Sequence, residues 1–171
     1  CAVLLERRDA LVVAPTGSGK TLAYALPVVA DLMRLDPEVS RGDGTVALVV
    51  APTRELGVQI SEVFDALTRR VAAGRLVAGA ITGGEKRKAE KARLRKGVPV
   101  LVATPGRLLD HLRSTACLSY ERLAWVVLDE VDRLLDLGFG PQVGDIMKKL
   151  TDGATRRPSK VLVTATVTAQ L

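Results

Sequence analysis

Short runs of apolar residues recur along the chain, each closed by a turn residue and followed by a longer stretch with apolar positions at helical spacing. The runs are Ala10 to Val13, Val46 to Val50, Leu76 to Ile81, Val98 to Ala103, Trp125 to Leu128 and Lys160 to Val163. Apolar character without polar alternation marks strands buried on both faces. Between the runs, Leu56, Ile60, Val63 and Leu67 share one helical face, as do Val143, Ile146, Met147 and Leu150. Strand and helix alternate, which predicts an α/β domain with a mostly parallel central sheet and helices on both faces. Asp36 to Gly44 and Thr151 to Ser159 read as surface loops, neither long enough to be a domain linker. There is no internal repeat or low-complexity tract.

Composition narrows this picture. The chain has 171 residues, 47% hydrophobic and 26% charged, the size of a single domain over 1–171. Aromatics make up 3%, so the core must be aliphatic, and a base-stacking platform is disfavoured. A net charge of +6 favours a polyanionic partner without establishing one. Cys1 and Cys117 are too few for a disulfide framework, and the single His111 leaves no soft ligand set for structural zinc. A reducing, intracellular compartment fits best. No apolar stretch reaches the roughly 20 residues that span a bilayer, so no membrane role is expected. The chain opens at Cys1 without an initiator Met, and is expected to be a fragment.

The first strand runs into Ala14-Pro15-Thr16-Gly17-Ser18-Gly19-Lys20-Thr21, and a helix begins near Leu22. Strand, glycine-rich loop and helix in that order form a phosphate cradle of the Walker A type. Gly17 and Gly19 let backbone N–H groups face a phosphate, and the helix N-terminus adds its positive dipole end. Lys20 is placed to reach β and γ phosphates, and the Thr21 hydroxyl to ligate Mg²⁺. The strict pattern has Gly where this chain has Ala14; a plain Gly/Ser turn is the alternative. A second Mg²⁺-facing carboxylate is expected, and Trp125 to Leu128 is the apolar strand that ends in adjacent acids, Asp129-Glu130. Asp129 is the candidate to hold Mg²⁺, largely through water, and Glu130 to polarise the attacking water. An acidic helix N-terminus is the competing reading.

Two further loops carry phosphate-binding chemistry. Pro52, Thr53 and Arg54 open a helix after a strand, and Thr104-Pro105-Gly106-Arg107 does the same after another, each offering free N–H groups, a hydroxyl and a guanidinium. A helix cap with a solvated Arg is the alternative for both. His111 beside Asp110 lies in a helix with no nucleophile elbow nearby and reads as a surface residue. Trp125 reads as packing and Cys117 as structural.

Together these residues resemble the DEAD-box RNA helicases of superfamily 2, over essentially the whole chain. Ala14 to Thr21 is similar to motif I, Ala51 to Leu56 to motif Ia, Gly83-Gly84 to the GG element, Thr104 to Arg107 to motif Ib, Asp129-Glu130-Val131-Asp132 to motif II, and Thr164-Ala165-Thr166 to motif III. Val131 departs from the name-giving tetrad but removes no functional group. The resemblance implies an N-terminal RecA-like domain that binds ATP and Mg²⁺ and grips one RNA strand by its backbone through Pro52, Thr53, Arg54, Gly83, Gly84 and Thr104 to Arg107. It also implies that Asp132 couples motif II to Thr164 and Thr166. A second RecA-like domain with the arginine finger, and an upstream adenine-reading Q motif, are expected outside this chain, which by itself should hydrolyse ATP very slowly. Gly83 to Gly97 looks like the nucleolar branch acting in large ribosomal subunit assembly, implying pre-ribosomal partners and a nuclear or nucleolar location, with the cytoplasm as the alternative. An ordinary solvated, charged helix is the plainer reading of that segment. A monomer is expected. Another superfamily-2 DNA helicase or translocase, or a non-catalytic P-loop scaffold, remain the rival readings.

Overall fold

A computed structural model describes residues 2–72 and 74–166; Cys1 lies outside them. After a short helix α1 (Ala2–Leu5) the elements run β1 (Ala10–Val13), α2 (Lys20–Leu32), β2 (Ala47–Val50), α3 (Arg54–Val71), β3 (Ala78–Ile81), α4 (Arg87–Arg95), β4 (Val100–Ala103), α5 (Pro105–Ser114), β5 (Trp125–Leu128), α6 (Val131–Asp136), α7 (Gly140–Gly153) and β6 (Ser159–Thr164). The six strands form one sheet in the order β1-β6-β5-β2-β4-β3, and every pairing is parallel.

Side chains alternate across the sheet and divide the core into two layers. Ala47 and Val49 of β2, with Val100 and Val102 of β4, Trp125 and Val127 of β5 and Val161 and Val163 of β6, pack with Tyr24, Val28 and Leu32 of α2 and Ile60 and Phe64 of α3. The opposite phase, Leu48, Val50, Leu101, Ala103, Val126 and Leu128, packs with Leu94, Leu108, Leu134, Ile146 and Leu150 from α4 to α7. β2, β4 and β5 are buried along their whole length, because helices cover both faces and strands flank both edges. Three of the few aromatic side chains, Tyr24, Phe64 and Trp125, are fully buried in the first layer. Val131 is also buried, its methyl groups in the second layer beside Leu128 and Leu134.

The strands occupy the predicted runs, with differences at the ends. Val46, Leu76, Val77, Val98 and Pro99 precede the regular ladders rather than joining them. Ser159 and Thr164 extend β6 beyond Lys160 to Val163, since Ser159 N donates to Ala124 O (2.9 Å) and Thr164 lies in register with Val13. The expected loop over Thr151 to Ser159 is shorter, because α7 continues through Gly153. Among the described residues no helix is long and apolar enough to cross a membrane.

A buried polar contact anchors the amino-terminal end of β5. Asp31, near the end of α2, accepts from Trp125 Nε1 (2.8 Å) and pairs with Arg7 Nε (3.0 Å). Trp125→Phe removes one of the two donors and leaves a smaller ring in a filled site. The expected loss is about 2 to 4 kcal/mol, read as a lower urea midpoint with an unchanged m-value.

Candidate nucleotide and nucleic-acid site

All strands being parallel, their carboxyl ends lie along one edge, where loops can meet a ligand. The segments met there, in spatial order from β1 to β3, are the phosphate loop, Thr164 to Thr166, Asp129 to Asp132, Pro52 to Arg54, Thr104 to Arg107, and Gly83-Gly84. The phosphate-facing and acidic candidates thus follow β1 and β5, with the coupling candidates Thr164 and Thr166 after β6 between them. The backbone-gripping candidates follow β2, β4 and β3.

The phosphate loop leaves β1 through Ala14, whose N–H donates to Thr164 O (3.1 Å), so loop and motif III segment are tied from the start. Gly17 and Gly19 stand at φ 80° and 83°, a left-handed backbone open to glycine at little cost. Nothing lies within 4 Å of where a Cβ would project at either, so the demand is conformational rather than steric. Gly19 caps α2 without a side-chain hydrogen bond, which leaves the first-turn N–H groups facing the loop's interior. Lys20 Nζ donates to Ala14 O (2.8 Å). An ammonium carries three donors, so this bond holds the group across the loop while leaving it free to bind a phosphate.

β5 delivers Asp129 into a confined place, 2% exposed. Its two oxygens accept from Tyr24 Oη (2.8 Å) and from Glu130 N (2.9 Å). Burial raises the Asp129 carboxyl above its ordinary range, further helped by the neighbouring Glu130 charge, while the Tyr24 and Glu130 N–H bonds and Lys20 pull the other way. Burial also raises the Tyr24 phenol, together with the charge of Asp129; Thr21 shares a hydrogen bond with the same phenol. Tyr24 therefore links the Thr21 hydroxyl to the Asp129 carboxylate, the two oxygen groups expected to face Mg²⁺. Among the described residues no group of three or more His, Cys, Asp or Glu could hold a metal. Two hard oxygen donors beside a phosphate cradle fit Mg²⁺, which takes few protein ligands and completes its shell with phosphate and water.

Glu130 occupies the left-handed region, φ 49° and ψ 56°, unusual for a side chain with Cβ and typical of functional turns. Its Oε2 pairs with Arg133 Nη1 at 3.0 Å. Asp132 Oδ2 accepts from Ala165 N (3.2 Å), Thr166 N (3.2 Å) and Thr166 Oγ1 (3.1 Å). Partial burial alone would raise this carboxyl; the hydrogen bonds from Arg133, Thr166 and Thr164 outweigh it and hold Asp132 below its ordinary range. Thr164 Oγ1 in turn donates to Thr166 O (2.7 Å). The contact implied by resemblance is thus present as a carboxylate cap on the turn after β6.

On the other half of the edge, Thr53 caps α3 by accepting from Leu56 N (3.3 Å), and Pro52 is buried beneath it. Arg54 is exposed, and its guanidinium lies over Gly84 where any Cβ would collide with it. Gly83 and Gly84 both have positive φ, 83° and 82°. Thr104 Oγ1 donates to Thr82 O (3.4 Å), joining the loops after β4 and β3. Pro105 and Gly106 follow as the first turn of α5. Arg107 is not the solvated guanidinium of the alternative cap reading: its Nε donates to Glu90 Oε2 (2.6 Å).

Two sequence expectations are corrected here. His111 is fully buried rather than on the surface, between Thr115 Oγ1 (2.9 Å) and Glu90 Oε2 (3.0 Å). The helix after Gly83-Gly84 is charged but not simply solvated, because Glu90 is itself fully buried. The signal for His111 was its spacing, since Thr104, Leu108, His111 and Thr115 form one stripe of α5. Tyr24 and Arg133 carried no comparable signal, because each gains meaning only from the group it meets in space. Cys117 is half-buried, its thiol 3.8 Å from Lys91 O.

A parallel sheet with a phosphate loop on its first strand and an acidic pair on a central one defines a RecA-like, nucleotide-binding domain. The DEAD/DEAH box helicase model matches residues 1–171, and the chain belongs to that family. It is 54% identical over 170 residues to ATP-dependent RNA helicase DBP7 of Coccidioides immitis, covering 93% of this chain and 22% of that protein. It is 49% identical over 166 residues to human ATP-dependent DNA helicase DDX31, covering 97% of this chain and 19% of that one. Among solved structures it resembles the yeast DEAD-box splicing factor Prp28, with TM-score 0.86 and 36% identity over 95% of this chain and 37% of that one. The ADP-bound RNA helicase Prp28 of Chaetomium thermophilum gives TM-score 0.79 and 33% identity over 98% and 38%. The chain thus spans about a fifth of the length of the curated relatives.

The burial of Asp129 has a measurable consequence for the ligand-free domain. A carboxyl whose folded pKa is raised contributes its full stability below the ordinary carboxylate range, and that contribution is lost as pH climbs through the raised value. At neutral pH its charge therefore opposes folding. Asp129→Asn removes the charge, keeps an acceptor for Glu130 N, and reverses the Tyr24 contact, with the amide Nδ2 donating to Tyr24 Oη. Calorimetry at pH 7 without nucleotide should show Tm raised by about 2 to 4 °C, a gain that vanishes below pH 4, and loss of any Mg²⁺-dependent stabilisation by nucleotide.

Proposed function

We propose that this domain is the ATP- and RNA-binding half of an ATP-dependent RNA helicase that locally unwinds or remodels RNA or RNA–protein complexes. The observation that carries the reading is the shared sheet edge. The candidate nucleotide groups after β1 and β5 adjoin the candidate backbone-gripping loops after β2, β4 and β3, and Asp132 bonds the turn of Thr164 to Thr166 after β6, between β1 and β5.

In this reading the N–H groups of Ala14 to Thr21 bind the triphosphate, Lys20 neutralises its β and γ oxygens, and Thr21 and Asp129 hold Mg²⁺, largely through water. Bound Mg²⁺ supplies charge neutralisation on the phosphates. Glu130 orients and deprotonates the attacking water; its left-handed backbone is held by the bond of its N–H to Asp129, and its carboxylate is paired with Arg133. The RNA face consists of Pro52, Thr53, Arg54, Gly83, Gly84 and Thr104 to Arg107. Contacts from N–H groups, hydroxyls and guanidinium read phosphate and not base, so binding is sequence-tolerant and weakens with salt. A second RecA-like domain of the same protein completes the site, and this domain alone turns over slowly. The DBP7 relatives, ATP-dependent RNA helicases by name, support the RNA substrate; the likeness of Gly83 to Gly97 to the nucleolar branch supports a role in ribosome assembly with pre-ribosomal partners, and the protein is read as a monomer.

A DNA substrate is the second reading, favoured by the human relative, an ATP-dependent DNA helicase by name. Motor and scaffold, RNA and DNA, separate in one assay series on the full-length protein. RNA should stimulate ATP hydrolysis and DNA of the same sequence should not. Glu130→Gln should lower RNA-stimulated kcat by about 100-fold or more with ATP affinity retained. Equal stimulation by DNA would favour the second reading, and unchanged turnover in Glu130→Gln would leave only a scaffold.

A further inference from the structure

Behind the loop of Thr104 to Arg107, α4 and α5 are joined by charged and polar groups, beside the apolar layer that holds Leu94 and Leu108. Glu90 Oε2 takes both Arg107 Nε (2.6 Å) and His111 Nε2 (3.0 Å), and His111 Nδ1 meets Thr115 Oγ1 (2.9 Å). Glu90 and His111 are fully buried, and Arg107 is 24% exposed. One turn away Arg87 pairs with Asp110 (3.1 Å) and bonds Ser114 Oγ. Arg107 Nη2 also reaches Glu85 O (3.5 Å), immediately after Gly83-Gly84.

The hydrogen-bond roles follow from the partners. A carboxylate only accepts, so the His111 Nε2–H donates to Glu90, while Nδ1 shares its hydrogen bond with the Thr115 hydroxyl. Arg107 supplies a cation opposite Glu90. Leucine and alanine would join two helices without the cost of desolvating a carboxylate. What Glu90 adds is direction: a guanidinium fork held through Nε has one orientation. Without that partner, a cation in the first turn of α5 would be repelled by the helix dipole.

We propose that Glu90, itself oriented by His111, is a positioning residue for RNA binding. It holds Arg107 so that the N–H groups of Thr104 to Arg107 and the Gly83 to Glu85 segment stand as one preformed phosphate-binding face. Glu90 touches no RNA; it acts through Arg107. This rests on the RNA-face reading above, and Arg54, which lies outside the network, separates the two.

The test is RNA affinity, ATP KM, kcat and Tm of the full-length protein. Glu90→Gln should raise the RNA Kd about tenfold, with ATP KM unchanged and kcat at saturating RNA nearly so. Arg107→Ala should also weaken RNA binding, by about tenfold or more, and the double variant should bind RNA no more weakly than Arg107→Ala, since both break one linkage. His111→Leu, similar in volume but without a donor, should weaken RNA binding, and His111→Gln, which can donate to Glu90, should restore it. The His111 pair serves if Glu90→Gln fails to fold. Multiplying effects of Glu90→Gln and Arg107→Ala would overturn the proposal. So would RNA Kd, ATP KM and kcat worsening together in step with Tm, the mark of a merely structural role. If Arg54→Ala and Arg107→Ala both leave RNA affinity intact, the RNA face itself is wrong; if they weaken it and Glu90→Gln does not, only the positioning role is.

Discussion

Everything at the site depends on the strands running in one direction. A parallel ladder needs a crossover between successive strands, here at least one helix each time, and six such strands place all their carboxyl ends on one edge. Loops far apart in the chain then become neighbours without any loop having to be long. The same packing buries β2, β4 and β5 completely, so the residues that follow them leave a rigid core and not a flexible surface.

The buried charges sit where this rigidity can be used. Asp129 is held at the end of the central strand by a tyrosine from α2 and by its neighbour's N–H. Asp132, one turn further, is held low by the N–H groups and hydroxyls of the next strand's exit. One carboxyl is thereby poised to gain from a cation, while the other is already satisfied within the protein. That contrast separates a desolvated carboxylate from one bound into a neighbouring turn within four residues of sequence.

A similar contrast divides the arginines. Arg54 lies exposed over Gly84, while Arg107, nominally equivalent from its place after a strand and at a helix start, is bound to buried Glu90. The glycine at 84 is then a matter of space for the Arg54 guanidinium as well as of backbone conformation. The two guanidinium groups share a face, but only one is free to follow a ligand.

The sequence by itself determined the strands, the phosphate loop and the acidic pair, because these are written in contiguous residues. A buried parallel strand must be apolar throughout, and a phosphate cradle needs Gly17, Gly19 and Lys20 within a few positions. Only the tertiary structure decided the spatial order of the motifs, which differs from their order in the chain. Sheet order is set by which helix faces pack against which strands, and no local pattern encodes that. It likewise decided that Tyr24 would join Thr21 to Asp129, and that Glu90 and His111 would be buried together. A lone histidine beside an aspartate, or a glutamate among lysines, has the composition of a surface. Their burial follows from α4 and α5 meeting face to face, each supplying the partner that makes the other's polar group tolerable inside.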